Sequence, residues 1–60
     1  MPKYMLVIKD DESKTFAQFY NEYAQAQDAR MDAEVSLGYY VETYERNVDE
    51  DGAEHYEFVY

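Results

Sequence analysis

The chain of 60 residues contains no cysteine, which excludes disulfides and thiolate metal sites as sources of stability. Basic residues are few: five Lys and Arg stand against fourteen Asp and Glu, and the formal charge is −9. That balance argues against direct contact with nucleic acid or an anionic membrane, both of which attract basic surfaces. No apolar run approaches the roughly 20 residues of a membrane span. The run from Tyr4 to Ile8 is also too short for a signal-peptide core and is followed at once by charge, so a cytoplasmic location is expected. Proline occurs once, as Pro2, just ahead of that run, where its missing N–H does least harm.

Aromatic residues are abundant: eight Tyr and three Phe, each able to bury roughly 150–250 Å². A single domain of this size buries only about 60% of the surface of its unfolded chain, so several rings would face water in a monomer. So many aromatics also separate the chain from disordered acidic tails. A folded, strongly acidic domain calls for a basic partner.

Hydrophobic periodicity predicts an α+β domain over residues 1–60, with one amphipathic helix packed on a three-stranded, mainly antiparallel sheet in the order β-α-β-β. Lys3 to Lys9 is apolar at five consecutive positions, which suits a strand that is central or whose second face is closed by another copy of the chain. Thr15 to Met31 carries Phe16, Phe19, Tyr20, Tyr23, Ala24, Ala26 and Met31 on one side at helical spacing. Thr15 with Gln18 forms a capping-box pattern, Ser13 is the competing N-cap, and the helix is expected to end between Ala29 and Ala33.

From Val35 to Arg46 the period changes to two, and Glu54 to Tyr60 alternates again; Asp51-Gly52 between them is a hairpin signal. The two registers considered for that hairpin, which set Thr43 opposite Tyr60 or opposite Phe58, have the same parity. Both place Leu37, Tyr39, Val41, Tyr56, Phe58 and Tyr60 towards the helix, and Tyr40, Glu42, Tyr44, Arg46, His55, Glu57 and Val59 away from it. The last strand is expected beside the first, antiparallel, with a parallel pairing of the first two strands as the alternative. No internal repeat is apparent.

Motifs for catalysis are sparse. Asn47, Asp49, Asp51 and Gly52 match the first half of a calcium loop, but Phe58 stands where its bidentate Glu is needed, so a plain acidic turn is the simpler assignment. His55 is the only histidine; a zinc site would rest on it and carboxylates alone, and neither Ser13 nor Ser36 sits in an elbow that would present a nucleophile to it. No enzyme activity and no cofactor are expected.

Carboxylates remain the strongest functional signal. Glu22, Asp28 and Asp32 follow the predicted helix, Glu42, Glu45, Asp49, Glu50, Asp51, Glu54 and Glu57 the predicted hairpin, and Asp10, Asp11 and Glu12 form a third group. Steps of about 6 Å along a helix and roughly 6.6 Å along a strand are comparable with phosphate spacing. Such rows suit the basic site of a nucleic-acid-binding protein, with Tyr40 and Tyr44 as aromatic anchors. Charge reversal at Glu42 and Glu45 is expected to weaken that contact most.

In size, acidity and lack of motifs the chain resembles small phage-encoded inhibitors that mimic DNA or block a nucleic-acid groove, including anti-CRISPR and anti-restriction proteins. That resemblance implies a protein that binds the positive surface of a defence complex and excludes its substrate. Locally, Pro2-Lys3-Tyr4-Met5-Leu6-Val7-Ile8 followed by Asp10, Asp11 and Glu12 is similar to the opening of YciI-like proteins, which are small ferredoxin-like dimers. Two alternatives stand beside the inhibitor: a homodimeric structural or adaptor module joined through the first strand or the outer sheet face, and a small YciI-like enzyme, which would need His55 in a pocket.

Overall fold

Five consecutive apolar residues suit a strand with neighbours on both edges, and β1 (Tyr4–Lys9) is such a strand. The computed structural model describes residues 1–60. After β1 come β2 (Thr15–Tyr20), α1 (Tyr23–Met31) with a π-helical turn over Asp32–Ser36, β3 (Tyr40–Val48) and β4 (Glu54–Phe58). All pairings are antiparallel, in the sheet order β2-β1-β3-β4. The expected α+β class with one helix and an antiparallel sheet is present, but there are four strands, in the order β-β-α-β-β. The first strand pairs with Tyr40–Val48 and not with the last strand, which lies at the edge. No helix is long and apolar enough to cross a membrane.

The main departure from the pattern expected of the sequence is β2, whose six residues carry helical spacing. Phe16, Phe19 and Tyr20 at i, i+3 and i+4 favour a helix, whereas a strand splits them, with Phe16 and Tyr20 on one face and Phe19 on the other. The Asp10–Lys14 turn decides for the strand. Asp10 Oδ1 accepts from the N–H groups of Glu12 and Lys14, both at 2.9 Å. The chain therefore reverses and lays β2 along β1, with Ile8 opposite Phe16 and Tyr4 opposite Tyr20. Thr15 and Gln18 consequently cap nothing; the helix begins after Glu22, whose side chain makes no capping bond.

The β3–β4 turn repeats this architecture. Asp49 Oδ1 accepts from Asp51 N–H at 3.0 Å and Ala53 N–H at 2.9 Å, and Asp49 N–H donates to the Ala53 carbonyl as Asp10 N–H does to that of Lys14. Each turn has Asp first and a left-handed residue fourth, Ser13 at φ 65° and Gly52 at φ 82°. The internal repeat overlooked in the sequence is thus one of turn chemistry, DDESK and DEDGA.

A left-handed residue is strained for serine and free for glycine. Ser13→Gly is expected to stabilise the fold by about 0.5–1 kcal/mol, and Gly52→Ala to destabilise it by about 1 kcal/mol. No atom lies within 4 Å of a Cβ added at Gly52, so backbone conformation alone sets that loss. Thermal midpoints check the pair, at about 4–8 °C per kcal/mol for a domain of this size; shifts of the same sign would refute the shared turn geometry.

Because the second loop has three residues, Glu50 to Gly52, the hairpin register is one residue away from both expected ones. Tyr44 faces Phe58, Glu45 faces Glu57 and Arg46 faces Tyr56. A one-residue slip exchanges faces, so Tyr56 and Phe58 lie on the side away from the helix, and His55 and Glu57 on the helix side. Past β4 the Thr43 carbonyl accepts from Val59 N–H and the Thr43 N–H donates to the Tyr60 carbonyl. Two residues there span one, as in a β-bulge, which returns Tyr60 to the helix side beside Thr43.

The core is small. Leu6, Ile8, Val41 and Thr43 from the sheet meet Ala26 and Ala33 from the helical segment, with Tyr4, Tyr20, Ala29 and Tyr39 packed around them. Alanine at 26, 29 and 33 is a stripe of small side chains that lets the helix lie close to the strands. Gly38, at φ 70°, terminates the helical segment, and Tyr39 N–H donates to the Ala33 carbonyl at 2.9 Å. Gly38 therefore ends the helical segment within the stretch whose alternation suggests a strand from Val35, and the strand begins only at Tyr40.

Candidate binding surfaces

One helix covers one face of the sheet, and this divides the predicted site residues into groups. Glu22, Asp28 and Asp32 are exposed on the helical layer. Glu45 and Glu57 lie on the same side of the sheet, directly opposite each other across β3 and β4. The structure adds Glu34, which was not anticipated. Arg30 is the only cation on this side, and it is consumed internally. Its guanidinium pairs with Glu34, donates to Thr43 Oγ1 at 2.7 Å and to the Tyr60 carbonyl at 2.9 Å, and lies 4.7 Å from the Tyr60 ring centroid. The helix side thus presents an excess of negative charge, its one arginine held in internal contacts.

Asp49, Glu50 and Asp51 occupy the β3–β4 turn, at the end of the molecule away from the Asp10–Lys14 turn, where Asp10, Asp11 and Glu12 sit and Lys14 pairs with Glu12 at 3.4 Å. Both turns are therefore acidic. The Asp49 carboxylate already serves two backbone N–H groups, and this accounts for the residue spacing that resembled half of a calcium loop. His55 Nε2 lies 2.7 Å from Glu57 Oε1, and that hydrogen bond holds the imidazole above its ordinary pKa. His55 is thereby tied to the acidic side.

Tyr40, Glu42, Tyr44 and Glu54 belong to the opposite, uncovered face of the sheet. Reversal at Glu42 and Glu45, expected to act on one contact, would therefore perturb two different faces. Glu42 accepts from the Tyr40 hydroxyl at 3.3 Å and the Tyr44 hydroxyl at 3.1 Å. Partial burial and the bond to Glu42 raise the Tyr44 phenol above its usual pKa. Around this trio lie Met5, Val7, Phe19, Tyr56 and Phe58, placed on the same face by the register. Tyr44 and Phe58 meet edge to face at 5.7 Å. Phe19 and Tyr56, from the two edge strands, lean across the inner strands to 6.1 Å, although those strands are about 14 Å apart at ordinary spacing.

The aromatic members Phe19, Tyr56 and Phe58 were missed as surface residues because one was assigned to the helix and two to the wrong side of the last strand. An odd-length loop was the available signal: Asp49 repeats the role of Asp10, and three residues follow before the next strand residue.

Concave features are shallow. A groove of about 190 Å³ runs between α1 and Tyr60, lined by Gln27, Arg30, Met31, Glu34 and Val35, and a cleft of about 200 Å³ separates β2 from the end of the helical segment. Both are smaller than the roughly 300–1,000 Å³ of small-molecule pockets, and a third, open hollow of about 310 Å³ beside Asp28, Met31, Asp32, Val35 and Ser36 only reaches the lower end of that range. The residues are arranged for surface contact. Compared with family models, curated proteins and solved structures, the chain matches none, so the assignment of function rests on its own surfaces.

Proposed function

We propose that this protein is an acidic binding protein that occupies the basic nucleic-acid site of a partner, such as a restriction or CRISPR complex, and so excludes the partner's substrate. The observation that carries this reading is the segregation of charge. Glu22, Asp28, Asp32, Glu45 and Glu57 lie on one side of the molecule, and the one cation there, Arg30, is held by Glu34, Thr43 and Tyr60. The acidic β3–β4 turn extends this surface, since the molecule is elongated, 39 × 23 × 17 Å. Fields of one sign steer association with basic partners and repel nucleic acid itself.

The test is capture from a bacterial lysate by tagged protein, followed by washing at rising salt and competition with DNA or RNA. A basic nucleic-acid-binding protein released by salt and by competitor is the expected result. The triple variant Glu22→Lys, Asp28→Lys, Asp32→Lys is expected to lower its capture by about tenfold or more, because complementary charge sets the association rate. Glu42→Gln, on the other face, is expected to leave it nearly unchanged. Capture that resists salt, or that the triple reversal leaves intact, would overturn the proposal.

A further inference from the structure

The uncovered sheet face differs from the rest of the surface in both charge and polarity. Within the strands it carries two cations, Lys9 and Arg46, and two carboxylates, Glu42 and Glu54, with Arg46 lying 3.9 Å from Glu54. It is therefore neutral on a chain of net charge −9. Its centre is aromatic, and much of that aromatic surface is open: Phe19 is 51%, Phe58 59% and Tyr40 62% exposed.

We infer that this face is the contact between two copies of the chain, packed sheet against sheet about a two-fold axis. Opposite charges balance across this face, so it adds no local repulsion to the long-range repulsion of two acidic chains, unlike the carboxylate-rich helix side and turns. A second, independent consideration is area. Four strands at about 4.8 Å and six residues at about 3.3 Å give roughly 400 Å² of flat face per copy. Side-chain relief raises the accessible area, so two copies together bury on the order of 1,000 Å², the lower bound for a specific interface. Half-exposed rings on both copies supply the central anchors such an interface requires. The dimer leaves the helix sides pointing outwards and so presents two acidic surfaces; its existence does not depend on what those surfaces bind.

Sedimentation velocity over a wide concentration range, at low and at half-molar salt, tests the inference. Twice the mass of one chain is expected, with association strengthened by salt, because screening removes the long-range repulsion of the two acidic copies while apolar contact persists. Salt acts in the opposite sense on the basic-partner complex. Phe58→Asp and Tyr40→Lys, both at well-exposed positions, are each expected to weaken dimerisation by at least about thirtyfold with an unchanged far-ultraviolet circular dichroism spectrum. Met31→Asp, exposed on the helix side, is expected to leave it unaltered. A monomer at every concentration and salt would overturn the inference. So would a dimer that both face variants retain, since the contact would then lie elsewhere, as at the uncharged edge strand β2.

Discussion

Replacing Leu6 by Ala is expected to abolish cooperative folding at 25 °C or to reduce the unfolding free energy by about 2–5 kcal/mol. Leu6 is fully buried on the central strand, between Gln18 of β2 and Thr43 of β3. The helical residues closest to the core are alanines, which have no longer side chain with which to refill the space. At the usual 0.05–0.15 kcal/mol per residue a domain of this length holds only about 3–9 kcal/mol, so one truncation removes much of it. Urea unfolding followed by circular dichroism measures the effect, at fixed protein concentration because association shifts apparent stability. A loss below about 1 kcal/mol, less than ordinary Leu-to-Ala core truncations, would mean that the stabilising contacts lie elsewhere, on the aromatic face.

Arg30→Ala is expected to cost about 2–3 kcal/mol, through a mechanism that a double variant separates from lost packing. Thr43 is 1% exposed, and the Arg30 guanidinium donates to its Oγ1. Without Arg30 that hydroxyl stays buried without this donor, and the Tyr60 carbonyl loses a donor as well. In Thr43→Val the acceptor and its requirement disappear together. Arg30→Ala combined with Thr43→Val is therefore expected to be destabilised by at least about 0.5 kcal/mol less than the sum of the single variants. Hydrogen exchange gives a second check. Val59 N–H donates to the Thr43 carbonyl at 2.8 Å, and its protection should fall in Arg30→Ala as the C-terminal segment loosens. Strict additivity would show that Arg30 acts as a surface charge and not as the clasp between helix, sheet and C-terminus.

Both variants act at the junction where expectation and structure differ most. Thr43 and Arg30 are unremarkable in the sequence: one sits in an alternating strand, the other interrupts an apolar stripe. Their contact exists only because the helix lies across β3, and the bulge at Val59 and Tyr60 brings the chain end to the same guanidinium. The Phe19–Tyr56 contact is equally invisible, since 37 positions separate two residues from opposite edges of the sheet.

The sequence by itself determined the α+β class, the central strand Tyr4–Lys9, the strand-turn-strand hairpin at the C-terminus and the acidic character of the surface. These follow from the five-residue apolar run of β1, from alternation and turn residues such as Asp51-Gly52, and from charge, which is a sum over residues that no folding changes. Tertiary structure decided the rest. A six-residue aromatic segment with helical spacing became the strand β2 because pairing along the edge of β1 overrode the local periodicity. A loop of three residues reversed the parity of the last strand, because side chains alternate with a period of two and one residue moves every one of them to the other face. For the same reason total charge was legible in advance, whereas its division into an acidic helix side and a neutral aromatic face depended on register.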